Sequence, residues 1–180
     1  MCSVDGHNVF MKLTIHKGKH RAWPPCFGIF LQKRWMERDI VFDNSCRYEL
    51  PDPLDKEDVN KLFGFGYFPG LHHVDSARFG WNYNADTGKI RLYAYCYVDG
   101  NRSFQFICEV PLNVKVRLRI AVYINKRYVF SVHDGHNDWY EMGVQHVPYN
   151  HNKNWSYRLG CFFGGNNPAP HDITIKMSKK

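Results

Sequence analysis

Ile90-Arg91-Leu92-Tyr93-Ala94-Tyr95-Cys96-Tyr97-Val98 decides the fold. Side chains along a strand alternate between its two faces. Ile90, Leu92, Ala94, Cys96 and Val98 then make one face suited to a core, and Arg91, Tyr93, Tyr95 and Tyr97 make the other. A solvated strand face favours Lys, Glu, Thr and Ser. Three phenols and a guanidinium in a row describe a surface that holds something.

The same period recurs on either side. Ala77, Phe79, Trp81 and Tyr83 alternate with Ser76, Arg78, Gly80 and Asn82. Asp86-Thr87-Gly88 turns the chain into the Ile90 strand, and Asp99-Gly100 reverses it again, since both residues tolerate positive φ. Phe104, Phe106, Cys108 and Val110 read as the next apolar face. Val114, Val116, Leu118, Ile120, Val122 and Ile124 read as the longest one, opposite Lys115, Arg117 and Arg119. Shorter strands are expected at 12–15, 27–31, 39–42, 128–132, 157–163 and 173–177, with 134–156 as loop. A short helix is expected over 53–63. Asp52 caps it, Pro53 suits its first position, Asp55 sits in its first turn, and glycines 64, 66 and 70 end it. Many short strands with regular turns predict an all-β fold, an antiparallel two-sheet β-sandwich or jelly roll, as a single domain over 1–180.

Composition narrows the classes of function. The 180 residues suit one core, and 44% hydrophobic content is that of a globular chain. No apolar run reaches the roughly 18 residues of a membrane span. Met1 to Lys19 carries charges and histidines where a secretory signal needs an apolar stretch, so a cytoplasmic location is expected, host cytoplasm for a phage-encoded chain. None of the six cysteines has a Cys-x-x-Cys partner, so free thiols are expected. A net charge of +7 with ten further histidines favours anionic partners. The Lys and Arg are dispersed, and no helix-turn-helix, zinc finger or basic helix is visible, which makes duplex DNA the weakest partner.

Four constellations carry candidate chemistry. His72-His73 leads into the strand of Arg78; if that strand pairs with the Ile90 strand, Arg78 shares a face with Tyr93 and Tyr95. Arg offers a planar fork to carboxylate or phosphate, Tyr offers hydroxyls and stacking area, and His a proton. Lys19, His20 and Arg21, in the basic run from His16, are candidates for a second wall of the anion pocket. The aromatic and histidine-rich stretch with His133, His136, Trp139, Tyr140, His146, Tyr149, His151 and Trp155 reads as a lid, with Trp139 as a ligand contact. Its histidine spacing matches no zinc pattern, so no metal and no cofactor is expected. Phe162-Phe163-Gly164-Gly165-Asn166-Asn167-Pro168-Ala169-Pro170 lacks the phosphate-loop pattern and reads as a structural connection.

The blocks His72-His73…Ser76-Ala77-Arg78-Phe79-Gly80-Trp81, Tyr95-Cys96-Tyr97-Val98-Asp99-Gly100 and Phe163-Gly164-Gly165-Asn166…Ala169-Pro170-His171-Asp172-Ile173 resemble those of uncharacterised small phage and bacterial proteins. The closing block also resembles the last strands of concanavalin-like jelly rolls, the architecture of many lectins and some polysaccharide lyases. The resemblance spans roughly residues 60 to 177. It implies a β-sandwich and, if the chain is a lyase, a Tyr/His pair drawn from Tyr95, Tyr97, His72 and His73.

The leading expectation is a non-enzymatic protein that captures a small anionic ligand, a nucleotide second messenger in a phage-type immune-evasion sponge. Arg78, Arg91, Tyr93, Tyr95, Tyr97, His72, His73, Lys19, His20, Arg21 and Trp139 are its candidate contacts. The alternatives are a polysaccharide-lyase-like or nucleotide-cleaving enzyme using the Tyr/His pair, and a carbohydrate-binding or virion structural module. Exposed aromatics suit a homo-oligomer as well as a pocket.

Overall fold

A computed structural model describes residues 9–31, 34–50, 58–135, 141–149 and 151–178. Its strands are β1 (Phe10–Ile15), β2 (Ala22–Trp23), β3 (Ile29–Leu31), β4 (Trp35–Phe42), β5 (Asn60–Tyr67), β6 (Ser76–Asn84), β7 (Lys89–Val98), β8 (Asn101–Val110), β9 (Lys115–Tyr123), β10 (Arg127–Asp134), β11 (Glu141–Pro148), β12 (Trp155–Leu159) and β13 (Ile173–Ser178). One 3-10 turn, Asn44–Cys46, is capped by the Asp43 carboxylate on the Ser45 amide. The strands form two antiparallel sheets packed as a sandwich. Sheet A runs β11-β10-β9-β4-β13-β1-β2, and sheet B runs β3-β12-β5-β6-β7-β8. No helix of the described residues is long and apolar enough to cross a membrane.

The alternation read from the sequence determines what lies between the sheets. Sheet B turns Phe65, Phe79, Trp81, Ile90, Leu92, Ala94 and Cys96 inward, all fully buried. Sheet A answers with Leu13, Ile40, Phe42, Val116, Leu118, Ile120, Tyr128 and Phe130. Ring pairs cross the gap: Phe42–Trp81 at 5.5 Å, Phe79–Phe130 at 5.2 Å, Phe65–Tyr128 at 6.1 Å and Tyr67–Tyr128 at 6.4 Å between centroids. Such pairs contribute about 0.5–1.5 kcal/mol each beyond the area they bury. Cys26, Cys46, Cys96, Cys108 and Cys161 are free thiols. Burial pushes the Cys46, Cys96 and Cys161 thiols well up, as expected of small core hydrophobes.

The structure departs from the sequence expectations in four places. Of the expected helix, 53–57 lie outside the described residues, and Asn60–Phe63 belong to strand β5. Gly64 and Gly66 do not end an element. They alternate with the inward Phe65 and Tyr67 on the outer side of β5. Residues 141–148 form the edge strand β11, paired along β10. That strand joins sheet A and is not a lid over sheet B; residues 136–140, including His136 and Trp139, lie outside the described residues. Phe104 and Phe106 do not share a face with Cys108 and Val110. A bulge sets Tyr93 opposite Phe106 and Leu92 opposite Cys108, and the extra residue, Ile107, switches the face. Finally, Val114 and Ile124 lie outside β9, exposed at its two ends.

The bulged edge of β8 is covered from sheet A. Gln145 of β11 donates its side-chain amide to the Phe106 carbonyl at 2.9 Å, and Gly143 packs on Ile107.

At Gly64 the sheet tolerates no side chain. A Cβ there would sit 2.6 Å from the Arg78 Cα and 2.8 Å from its Cγ, and closer still to the Ala77 carbonyl oxygen. Gly64→Ala is expected to destabilise the protein by about 1–3 kcal/mol, as overpacked positions do. Urea denaturation would read this as a lower midpoint at unchanged slope.

Candidate functional site

Pinning Phe79 and Trp81 inward turns Ser76, Arg78, Gly80 and Asn82 outward. Paired residues of neighbouring strands share a face, which gives three rows across the outside of sheet B. The first is Tyr157, Gly66, Ser76, Tyr97 and Arg102. The second is Leu159, Gly64, Arg78, Tyr95 and Phe104. The third is Lys61, Gly80, Tyr93 and Phe106, extended by bridges from Lys61 to Phe162 and from Phe162 to Arg21. Gly64, Gly66, Ser76 and Gly80 form the floor of these rows, and side chains cover it: Arg78 over Gly64, Tyr157 over Gly66 and Val59 over Gly80.

Arg78 lies along this floor. Its residue is only 7% exposed, its Nε is buried without a hydrogen-bond partner, and no ion pair of its guanidinium is found among the described residues. Burial lowers its pKa to about 10, partly offset by the nearby phenol of Tyr95. The outer face of sheet A makes the contrast. There Arg117 Nε sits 2.7 Å from Asp39, and Arg119 Nη2 sits 2.6 Å from Glu37. A buried charge without a partner is costly, and on sheet B the protein leaves that cost standing at Arg78.

Other cations gather around it. Lys61 Nζ stands over the Tyr95 ring at 4.9 Å from its centroid. Burial, then Arg78, brings the Lys61 pKa down to about 8, with Arg102 adding to the effect and Asp58 opposing it. Burial and the adjacent Tyr97 push the Tyr95 phenol up to about 12, while Arg102 works against them. The His72 and His73 rings lie 4.1 Å apart, tilted by 40°, and the His73 ring meets Tyr97 edge-on at 5.2 Å. Burial, then His73, Arg78 and Arg21, hold His72 down at about 4, so it is neutral at neutral pH. Its carbonyl accepts a bond from Ser76 Oγ at 2.7 Å, which ties the histidine loop to β6.

The structure thus brings Arg78, Tyr95, Tyr97, His72 and His73 together, with Arg21 close enough to act on His72 electrostatically. Tyr93 shares the face, but its hydroxyl is bonded to Asn82 at 3.2 Å and its ring is walled by Phe104 and Phe106. Tyr93 and Tyr95 are 7% and 4% exposed and pack with Val59 and Tyr97 in a cluster of their own, apart from the main core. The stripe faces out, yet its rings are mostly closed to a stacking partner. Arg91 also faces out, but beside Glu109 at 3.7 Å, in a group that includes Asn84 and Thr87. His20 is drawn off by Phe163, whose carbonyl lies 3.0 Å from its Nδ1, and stacks on Phe162. Lys19 is exposed in a turn bonded through its backbone to His16 and Ala169, and no contact ties its side chain to Arg78. Trp139 falls outside the described residues. No group of three His, Cys, Asp or Glu able to hold a metal is found among the described residues.

Lys61, Arg102 and Tyr157 belong to the face and are missed by the sequence reading. The helix assignment hid Lys61. Arg102 was legible as the residue two before Phe104 on a strand next to the tyrosines. Tyr157 is set by its packing on Gly66, whose absent Cβ would lie 2.8 Å from the phenol ring.

No family model and no curated protein matches the chain. Solved structures do. The alginate lyase vAL-1 from Chlorella virus superposes with a TM-score of 0.58 at 13% identity, over 94% of this chain and 82% of that one. The endo-β-1,4-glucuronan lyase from the fungus Trichoderma reesei gives 0.48 at 8% identity, over 94% and 77%. The heptameric SAP-like pentraxin from Limulus polyphemus gives 0.46 at 11%, over 96% and 69%. The likeness is one of fold: the chain is an antiparallel jelly-roll β-sandwich.

Proposed function

We propose that the Arg78 face of sheet B binds an acidic saccharide, with a uronate-type carboxylate on the Arg78 guanidinium. The observation that carries this reading is the buried guanidinium with no acid to meet it. A carboxylate matches its planar fork. Lys61 and Arg102 supply further charge, and the hydroxyls of Tyr95, Tyr97 and Tyr157 suit the hydroxyls of a sugar. Phe104 and Phe106, 47% and 49% exposed, offer rings to its apolar faces. A sandwich of similar fold acts on alginate, itself an acidic polysaccharide. A nucleotide sponge needs open ring faces for its base, and Tyr93 and Tyr95 do not provide them. The half-exposed Phe104 and Phe106 are what supports that second reading.

An enzymatic version uses the same residues. With the carboxylate held, the proton on the carbon α to it passes to the neutral His72, a double bond forms from that carbon to the β carbon as the glycosidic C–O bond on the β carbon breaks, and a tyrosine hydroxyl protonates the leaving oxygen, the proton on His72 then returning to the tyrosine through solvent. Capture alone needs none of these steps.

Calorimetry against oligouronates, neutral oligosaccharides and cyclic dinucleotides tests the reading. Oligouronates are expected to bind, more weakly as salt rises. Arg78→Gln is expected to weaken them by roughly tenfold or more, the scale of a hydrogen bond to a charged group. No heat with any oligouronate, or equal affinity in Arg78→Gln, overturns it. Accumulation of an unsaturated uronate, lost in His72→Ala with binding kept, establishes the enzymatic version; intact ligand after long incubation leaves capture.

Binding should also depend on pH. Lys61 is charged below about 8 and loses its charge as the pH rises through that value. Affinity for an oligouronate is therefore expected to fall between about pH 7 and pH 9. Lys61→Arg, which stays charged, should flatten the profile.

A further inference from the structure

Two further arginines without an ion pair among the described residues, Arg38 and Arg158, turn toward the space between the sheets. Along β4, Met36, Arg38, Ile40 and Phe42 all point inward, so Arg38 occupies a core position, opposite the inward Leu118 of β9. Arg38 is 7% exposed, and the bond found for its guanidinium is to the carbonyl of its own neighbour, Glu37, at 2.7 Å. From sheet B, Arg158 of β12 points inward beside Phe65. Its Nε is buried without a hydrogen-bond partner, and the guanidinium lies over the Phe30 ring at 5.3 Å. The two guanidiniums repel: burial and then Arg158 lower the Arg38 pKa, while Cys26 and Glu37 oppose them. No carboxylate among the described residues forms an ion pair with either.

Both line one cavity of about 480 Å³ between the sheets, within the roughly 300–1,000 Å³ of small-molecule sites. Its remaining wall is largely apolar: Met11, Leu13, Met36, Leu62, Phe63 and Met177. The β2–β3 connection, with Pro25, Cys26 and Phe27, closes one side. Three methionines give the wall adaptable, polarisable side chains. Two cations with no ion pair among the described residues, set in a space of thioether and hydrocarbon, match one ligand chemistry: an anionic head on an apolar tail.

We propose that this interior cavity binds a hydrocarbon-tailed carboxylate, a fatty-acid-type amphiphile, with its head between Arg38 and Arg158 and its tail along Met11, Met36 and Met177. The cavity lies between the sheets, whereas the Arg78 face is the outer side of sheet B.

Dodecanoate and dodecanol share a tail and differ in charge, which makes them the probes. Titration of the full chain, followed by calorimetry and by displacement of anilinonaphthalene sulfonate fluorescence, should give saturable one-to-one binding of dodecanoate. Dodecanol should bind roughly tenfold or more weakly. Arg38→Met and Arg158→Met each remove one charge at similar volume, a change that buried sites often tolerate. Each is expected to weaken dodecanoate by roughly tenfold or more and to narrow the gap to dodecanol. Met36→Trp keeps both arginines and fills the tail space, and should abolish binding of both probes; it carries the test if an arginine variant fails to fold. No saturable dodecanoate binding, equal affinity for dodecanol, or undiminished binding in Arg158→Met or Met36→Trp overturns the proposal.

Discussion

The ring pairs that cross the sandwich set the orientation of everything else. Phe42–Trp81 and Phe79–Phe130 hold two residues of β6 against sheet A. Because a strand has only two sides, the residues between and beside them have no choice of face. Arg78 is outward because Phe79 is inward, and Tyr95 is outward because Ala94 and Cys96 are core. The Arg78 side chain has room beside β5 because Gly64 stands opposite it with no side chain. Core packing and the candidate site are therefore two readings of one alternation. A one-residue slip in β6 would place an arginine in the core and two rings in water.

The two outer faces are solved differently. On sheet A, Glu37 and Asp39 of β4 lie beside Arg117 and Arg119 of β9, so cation and anion cancel across neighbouring strands. On sheet B, Lys61, Arg78 and Arg102 cluster around a tyrosine, with Asp58 acting on Lys61. The positive formal charge of the chain is thus not spread evenly in space, although its residues are spread evenly in sequence. Locally, charge left uncompensated beneath phenols is what distinguishes this face from an ordinary hydrated sheet.

How much was legible follows from what carries the signal. The long strands β6, β7 and β9 were readable, because period-two alternation over eight or more residues has no helical equivalent. The outward grouping of Arg78 with Tyr93, Tyr95 and Tyr97 was readable for the same reason. The helix expected from Asp52-Pro53 does not reach Asn60–Phe63, where the buried side chains of Leu62, Phe63, Phe65 and Tyr67 belong to a strand. The glycines of β5 read as stops, since a sequence does not show that a neighbour's side chain needs the space. The bulge at Ile107 was invisible for a related reason: pairing register is a property of two strands. Depth was not legible either. The phenol stripe was read as an open floor, but its rings pack against one another and against Phe104. Arg38 was partly legible, as the one charged member of an otherwise apolar alternation from Met36 to Phe42. The short strand expected at 39–42 began one residue too late to include it.

The covered edge of β8 has a consequence for how the protein survives in a crowded solution. An outermost strand that shows two half-exposed phenylalanines invites another chain to lie alongside it and continue the sheet. Here the kink at Ile107 breaks the line of free amides and carbonyls, and the Gln145 amide occupies the Phe106 carbonyl that a newcomer would need. The border strand can thus display aromatic surface for recognition while denying the backbone ladder on which fibrils grow.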